Sequence, residues 1–148
     1  GIRVPLIARW PGKINAGSMS GHISAHWDIF PTFCDLAGSK IPVGLDGISL
    51  LPTLLGQKNQ QNHEYLYWEF HERNGARAVR FGKWKAIQRN LKNKDNPPIE
   101  LYDLSQDLAE NNDLATMNEP LVKKARKYFE QAHKPSAIWK MRWEKVLQ

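Results

Sequence analysis

Between His63 and Arg77 the chain gathers many of the side chains that could do acid–base or anion chemistry: His63, Glu64, Glu69, His71, Glu72, Arg73 and Arg77. Histidines and carboxylates at this density suggest a metal, but the spacing argues against one. Tyr65, Tyr67 and Glu69 alternate with Leu66, Trp68 and Phe70, which is the period of a strand. In a strand His63 and His71 would stand roughly 26 Å apart at about 3.3 Å per residue, far outside one ion's coordination sphere. No metal ligand is assigned. The loop from His71 to Arg77 suits a different task. It places an imidazole, a carboxylate and two guanidiniums (His71, Glu72, Arg73 and Arg77) at a strand end. A guanidinium holds planar or tetrahedral oxyanions through two parallel N–H bonds. The competing reading is a set of ordinary solvated loop residues.

Other candidates are weaker. Cys34 lies among Phe33, Asp35 and Leu36, with no neighbouring cation to favour a thiolate, so it reads as a buried structural thiol. There is no Gly-x-Ser-x-Gly elbow and no glycine-rich phosphate loop. No catalytic residue is assigned. Lys83, Lys85, Arg89, Lys92 and Lys94 surround Trp84 like a nucleic-acid face. Strand alternation, however, sends Trp84 away from Lys83 and Lys85 toward the core, and basic residues without an exposed aromatic platform are a weak signal for nucleic acid.

The elements that must hold these residues follow from periodicity. Val4 to Trp10 is almost continuously apolar until Pro11-Gly12 stops it, the pattern of a parallel strand covered on both faces. The residues up to Asn62 offer no strand to pair with it, so its sheet is expected to lie outside this chain. The start at Gly1-Ile2-Arg3, without Met, fits a piece of a longer protein. A helix is expected from about Asp28 to Ala37, with Asp28 at its N-cap and Ile29, Phe33, Leu36 and Ala37 as a stripe facing a core. Pro31-Thr32 near its start and Gly38 past its end have the usual asymmetry. Ser49 can cap a second short helix through Leu50, Leu51, Leu54 and Leu55, which Gly56 ends. After a polar linker come four strands, near Tyr65–Phe70, Ala76–Arg80, Trp84–Gln88 and Ile99–Leu104, with connections short enough to require antiparallel pairing in the middle. Glu119-Pro120 opens a helix to about His133, with Leu121, Ala125, Tyr128, Phe129 and Ala132 as its apolar stripe. Trp139 and Trp143 suggest a short tail helix. The fold class is α+β: the last strand of an α/β core, a helical connector, then a four-stranded antiparallel sheet packed by a C-terminal helix. The chain divides at the polar linker, into residues 1–62 and 63–148.

Composition narrows the partners. The 148 residues are 41% hydrophobic and 24% charged, within the range of a globular domain rather than a disordered chain. No apolar run reaches the ~18 residues of a membrane span, and no signal-peptide pattern is present. A single cysteine excludes an internal disulfide framework. The net charge of +6 favours anionic partners such as sulfated or phosphorylated substrates, acidic surfaces or nucleic acid, against the alternative of a merely solvated basic face.

Several stretches taken together resemble the C-terminal part of the type I sulfatases, the arylsulfatase-like family of the alkaline-phosphatase superfamily. They are Gly1-Ile2-Arg3-Val4-Pro5 with Ala8 to Gly12; Asp28-Ile29-Phe30-Pro31-Thr32 to Gly38; Leu45-Asp46-Gly47-Ile48-Ser49-Leu50; Ala78-Val79-Arg80 with Gly82-Lys83-Trp84-Lys85; and Glu100 to Leu104 with Asp107 and Glu110-Asn111. The resemblance implies a parent sulfatase, a sulfuric ester hydrolase, that uses formylglycine and Ca²⁺. The formylglycine arises in a Cys/Ser-x-Pro/Ala-x-Arg motif. Cys34 is followed by Asp35-Leu36-Ala37-Gly38 and fails that motif, and no serine meets it. The chain is therefore expected to carry no cofactor and to be inactive alone. On this reading residues 1–62 are the end of the catalytic core with its connector, and 63–148 a small subdomain beside the cleft. His71, Glu72, Arg73 and Arg77 are the candidate substrate-facing residues, and Arg3 a supporting residue behind the cleft. The implied partners are the remainder of the sulfatase and a sulfate ester, sulfated carbohydrate included. A periplasmic, extracellular or lysosomal setting is the family expectation; the chain itself names no compartment. The open apolar edge at Val4–Trp10 predicts self-association of the isolated chain. Two alternatives are a stand-alone basic module that binds polyanions and a fragment of a related phosphodiesterase or phosphotransferase.

Overall fold

The computed structural model describes residues 2–92, 96–136 and 138. The chain forms two compact units, Gly1–His63 and Glu64–Gln148. No described helix is long and apolar enough to cross a membrane.

The first unit contains two helices, α1 (Ile29–Leu36) and α2 (Leu51–Leu54), with a 3-10 turn at His26–Asp28 leading into α1. The strand expected over Val4 to Trp10 is not formed. Residues 2–10 have no regular secondary structure and are exposed. A strand exists only within a ladder, because its N–H and C=O groups need a neighbour's. The described residues of this unit supply no such neighbour.

The orientation of α1 also differs from the expected one. Its buried residues are Pro31 and Thr32, with Asp28 buried just before it, whereas Phe33 is 63% exposed and Leu36 and Ala37 are exposed. Cys34 is half-buried rather than buried. The reason is polar. Asp28 stands at the N-cap position but does not cap the helix with its side chain. Its Oδ2 instead accepts the Ala25 N–H at 2.7 Å, and its Oδ1 accepts the Ile48 N–H at 2.9 Å and meets His63 Nε2 at 2.8 Å. One turn on, Thr32 donates its hydroxyl to the Asp28 carbonyl at 2.6 Å and accepts the Leu50 N–H at 2.8 Å. The Asp28–Thr32 face is thus turned inward to satisfy backbone donors of the 48–50 segment, and the apolar stripe faces out. Gly47 completes the crossing: a Cβ there would lie 2.2 Å from the Trp27 carbonyl oxygen, so only glycine fits. Gln60 closes the unit by accepting the N–H and hydroxyl of Thr53 and donating to the Ser49 carbonyl.

The second unit is an antiparallel meander, β1 (Leu66–Phe70), β2 (Ala76–Phe81), β3 (Trp84–Arg89) and β4 (Ile99–Asp103), with spatial order β1-β2-β3-β4. Phe81 pairs with Trp84 across the two-residue turn Gly82-Lys83. Gly82 has φ +54°, which such hairpin turns require. α3 (Glu119–Ala132) covers one face. Val79, Phe81, Ala86, Ile99 and Leu101 form the buried cluster with Ala125, Tyr128 and Phe129 of the helix. Tyr65 stacks on Tyr128 at 4.3 Å between centroids, and Phe81 meets the same ring edge-on. The return segment covers the β4 edge. Asp113 accepts the Leu101 N–H at 2.9 Å, and the Leu114 N–H donates to the Leu101 carbonyl at 2.8 Å. The expected tail helix at Trp139 and Trp143 lies outside the described residues, as do Gly1 and Lys94.

Candidate anion-binding site

The α3-facing side of the sheet is apolar in its middle row and polar at one end. Tyr67, Val79, Ala86 and Leu101 stand opposite one another across the four strands. Two residues along, toward the β1–β2 loop, the aligned row is Glu69, Arg77 and Gln88. Alternation places these three on the same face as the core residues. They sit where α3 runs out, at Phe129 and His133.

Glu69 is engaged from several directions. The Tyr67 hydroxyl donates to its Oε1, which also lies 2.6 Å from His133 Nδ1, and its Oε2 lies 3.4 Å from His71 Nε2. Burial pushes the Glu69 carboxyl up, but the bonds from Tyr67 and His133 and the two imidazole charges outweigh it and hold the group below the usual carboxylate range. The effect on Tyr67 is the reverse. Burial first, then the bond to Glu69 and its negative charge, push the phenol far above its ordinary value, with Arg77 acting the other way.

Arg77 is held but not neutralised. Its Nε donates to Gln88 Oε1 at 2.8 Å, and its guanidinium lies 4.6 Å from the Phe129 ring centroid. Gln88 is fully buried, and its amide nitrogen donates to the Pro97 carbonyl at 2.5 Å and lies 3.4 Å from Asn96 Oδ1. Glu69 is the carboxylate directly across the ladder from Arg77. The Glu69 carboxylate, however, lies against the His71 and His133 imidazoles, and among the described residues Arg77 forms no ion pair. A half-buried guanidinium held by an amide, a ring and the Tyr67 hydroxyl, with no ion pair among the described residues, is suited to receive an oxyanion.

The loop between β1 and β2 brings only part of the predicted set together. His71 and Arg77 are joined to it through Glu69 and Tyr67. Glu72 and Arg73 are exposed and serve the turn through their carbonyls: that of Glu72 accepts the Gly75 N–H, and that of Arg73 accepts Lys92 Nζ at 2.5 Å. Arg73 has φ +52°, a left-handed conformation uncommon outside glycine and asparagine. The Leu91 and Lys92 N–H groups donate to the Gly75 and Asn74 carbonyls, so the β1–β2 loop is tied to the start of the β3–β4 loop. Arg3 is exposed in the first unit.

The basic stripe along β3 does not survive as a stripe. Lys85 is buried on the face away from α3 and pairs with Glu110 at 2.5 Å; Lys83 pairs with Asp103 at 2.7 Å and Arg89 with Glu100 at 3.1 Å. Trp84 packs against the core cluster, as alternation predicts, but it is not sent away from Lys83, whose Nζ lies 4.9 Å from the Trp84 ring centroid because the two-residue turn folds the lysine back over it. His63, eight residues before His71, is committed to Asp28 within the first unit. Among the described residues no group of three or more His, Cys, Asp or Glu is arranged to hold a metal ion. Glu69 entered the sequence reading only as part of the metal constellation that the strand spacing argued against, and Gln88 and His133 were not singled out. Gln88 could have been, since an amide on the core side of an otherwise apolar strand needs a reason. His133 looked like a simple helix end.

Comparison with known proteins places this geometry. Residues 1–134 match the family described as N-sulphoglucosamine sulphohydrolase, C-terminal. The ulvan-active sulfatase of Formosa agariphila is 32% identical over 160 residues, covering 83% of this chain and 32% of that protein. Arylsulfatase A of Bos taurus is 33% identical over 135 residues, covering 77% of this chain and 26% of that protein. The solved structure of BT4656 in complex with its substrate D-glucosamine-2-N,6-O-disulfate superposes with a TM-score of 0.68 at 28% identity, covering 84% of this chain and 26% of that one. The chain thus spans about a third or less of the length of these relatives. An antiparallel meander covered by one C-terminal helix, preceded by the Asp28-centred connector and matched over residues 1–134, establishes that this chain belongs to the sulphoglucosamine sulphohydrolase C-terminal family of the sulfatases.

Proposed function

We propose that the chain is the C-terminal part of an enzyme that hydrolyses sulfate esters, sulfated carbohydrates among them, and that its β1–β2 loop faces the substrate. The observation that carries this reading is Arg77, oriented by Gln88 and Phe129 and without a carboxylate partner among the described residues. His71, Glu72 and Arg73 are the loop's further substrate-facing residues, with His71 next to Glu69 and the other two exposed. Family membership and a neighbour solved with a disulfated sugar support the substrate class. Arg3 would support the cleft of the whole enzyme from behind its reacting groups.

Cys34 is followed by Asp35-Leu36-Ala37-Gly38, outside the modification motif, so the formylglycine expected of the family, and the Ca²⁺ beside it, would lie in the rest of the protein. The reacting groups would belong to the rest of the protein, and this segment would contribute binding and orientation. The test is steady-state kinetics of the full-length protein on a sulfated sugar. Arg77→Ala should raise KM about 10- to 100-fold, the loss of a charge-assisted contact, with kcat far less affected. The 148-residue chain alone should show no turnover of an aryl sulfate. An unchanged KM in Arg77→Ala would remove the loop from the substrate site, and Ca²⁺-dependent turnover by the isolated chain would overturn the division of labour.

A further inference from the structure

Arg77 is not the only cation fixed at this end of the sheet. The Asn96 Oδ1 that lies 3.4 Å from Gln88 Nε2 also accepts the Arg126 Nη1 hydrogen bond at 2.7 Å. Arg77, Gln88, Asn96 and Arg126 therefore form a continuous chain of contacts, with a guanidinium at each end and two side-chain amides between them. The amide oxygens accept from Nε of Arg77 and Nη1 of Arg126; a guanidinium carries five N–H donors, so each arginine keeps donors beyond the one its amide takes. Arg126 is half-buried on α3 and, like Arg77, forms no ion pair among the described residues. This contrasts with Lys83, Lys85 and Arg89 on the same sheet, each of which has a carboxylate. Asn96 holds its position with φ +51°, a left-handed conformation that asparagine tolerates better than most residues. Lys92, anchored to the Arg73 carbonyl, adds a further positive charge between the two loops.

Two guanidiniums joined through neutral amides differ from two guanidiniums joined through a carboxylate. An intervening carboxylate would cancel charge; amides fix geometry and leave both charges standing. Such a pair matches a ligand with two anionic groups. We propose that Arg126, coupled to Arg77 through Gln88 and Asn96, forms a second anion-binding position, so that the carbohydrate recognised here carries a second sulfate or carboxylate besides the one at Arg77. This rests on the reading of Arg77 as substrate-facing.

The experiment compares D-glucosamine-2-N,6-O-disulfate with D-glucosamine-6-O-sulfate as ligands of the full-length protein, by calorimetry and by KM where turnover occurs. The disulfate should bind more tightly, and its advantage should shrink as salt is raised. Arg126→Gln should remove most of that advantage, about a 10-fold loss for the disulfate with less than a 2-fold change for the monosulfate. Arg126→Lys, which keeps the charge but not the fork, should recover part of it. Gln88→Glu should place a carboxylate on Arg77 and weaken both ligands. Circular dichroism and amide protection at Val79 and Leu101 verify folding of each variant. If Arg126→Gln weakens both ligands equally, or neither, while Arg77→Ala weakens both, the second position is overturned and the first stands. If Arg77→Ala is silent, the underlying reading fails along with the proposal.

Discussion

The two units of this chain are stabilised in opposite ways. The C-terminal unit has an apolar core, with Val79, Ala86, Leu101 and Phe129 fully buried, and keeps its polar groups at the sheet's end and far face. The N-terminal unit is organised around a buried carboxylate. Asp28 and Thr32 gather the backbone of residues 25, 48 and 50, while Val4, Leu6, Ile7, Phe30 and Phe33 lie exposed. The contrast teaches what each kind of sequence can do alone. Alternating strands and an amphipathic helix complete their own core. A continuous apolar strand and a short helix with two demanding faces do not, because each needs surface from elsewhere.

The largest effect expected from testing this contrast is that of Phe129→Ala. Removing the ring that faces the core and Arg77 should cost about 3–5 kcal/mol. Hydrogen exchange should show lost protection at Val79, Ala86 and Leu101, with the Ile48 and Leu50 amides unchanged. Loss in both units at once would break the distinction between them.

Asp28→Ala is the counterpart. It leaves the Ala25 and Ile48 N–H groups and His63 without their acceptor, for a cost of about 3 kcal/mol. Protection should vanish at residues 25, 48 and 50 and persist across β2 and β3. An unperturbed first unit would mean that its organisation is not polar.

A smaller effect should appear with pH. Glu69 is ionised more readily in the folded state than its ordinary value of 4.5 would allow, facing Tyr67, His71 and His133. A depressed carboxyl contributes stability that is present above about 4.5 and is lost as pH falls through its lowered folded value. Glu69→Gln should flatten the acid limb of the C-terminal unit's stability curve, as read by urea denaturation between pH 3 and about pH 6. An unchanged limb would show that the hub is not coupled to folding. Smallest in stability terms is Ile7→Lys with Phe33→Lys, which should leave both units folded but reduce self-association of the isolated chain in light scattering.

Much of the second unit was legible because its signals are local. Gly82-Lys83 specifies a hairpin, alternation through Tyr67 and Trp84 sets the faces, and the spacing of Ala125, Tyr128 and Phe129 sets the helix stripe. The candidate site was half legible. His71 and Arg77 stood out as chemistry at a strand end, but Glu69, Gln88 and His133 could not be connected to them without knowing the register or where α3 ends. The misreadings fell in the first unit. Periodicity identified the apolar stripe of α1 correctly as apolar, yet could not show that Asp28 and Thr32 would claim the inward side.

By itself, then, the sequence determined the element order of the C-terminal unit, its antiparallel pairing, its family likeness and the absence of the family's nucleophile motif, since each depends on residue types at short spacing. Only the tertiary structure decided which charges remain available. Lys83, Lys85 and Arg89 look the same in the chain as Arg77 and Arg126, but the first three meet Asp103, Glu110 and Glu100, whereas the last two meet the amides of Gln88 and Asn96. Whether a cation is cancelled or kept for a ligand depends on partners distant in sequence, which only the folded chain brings within a few ångströms.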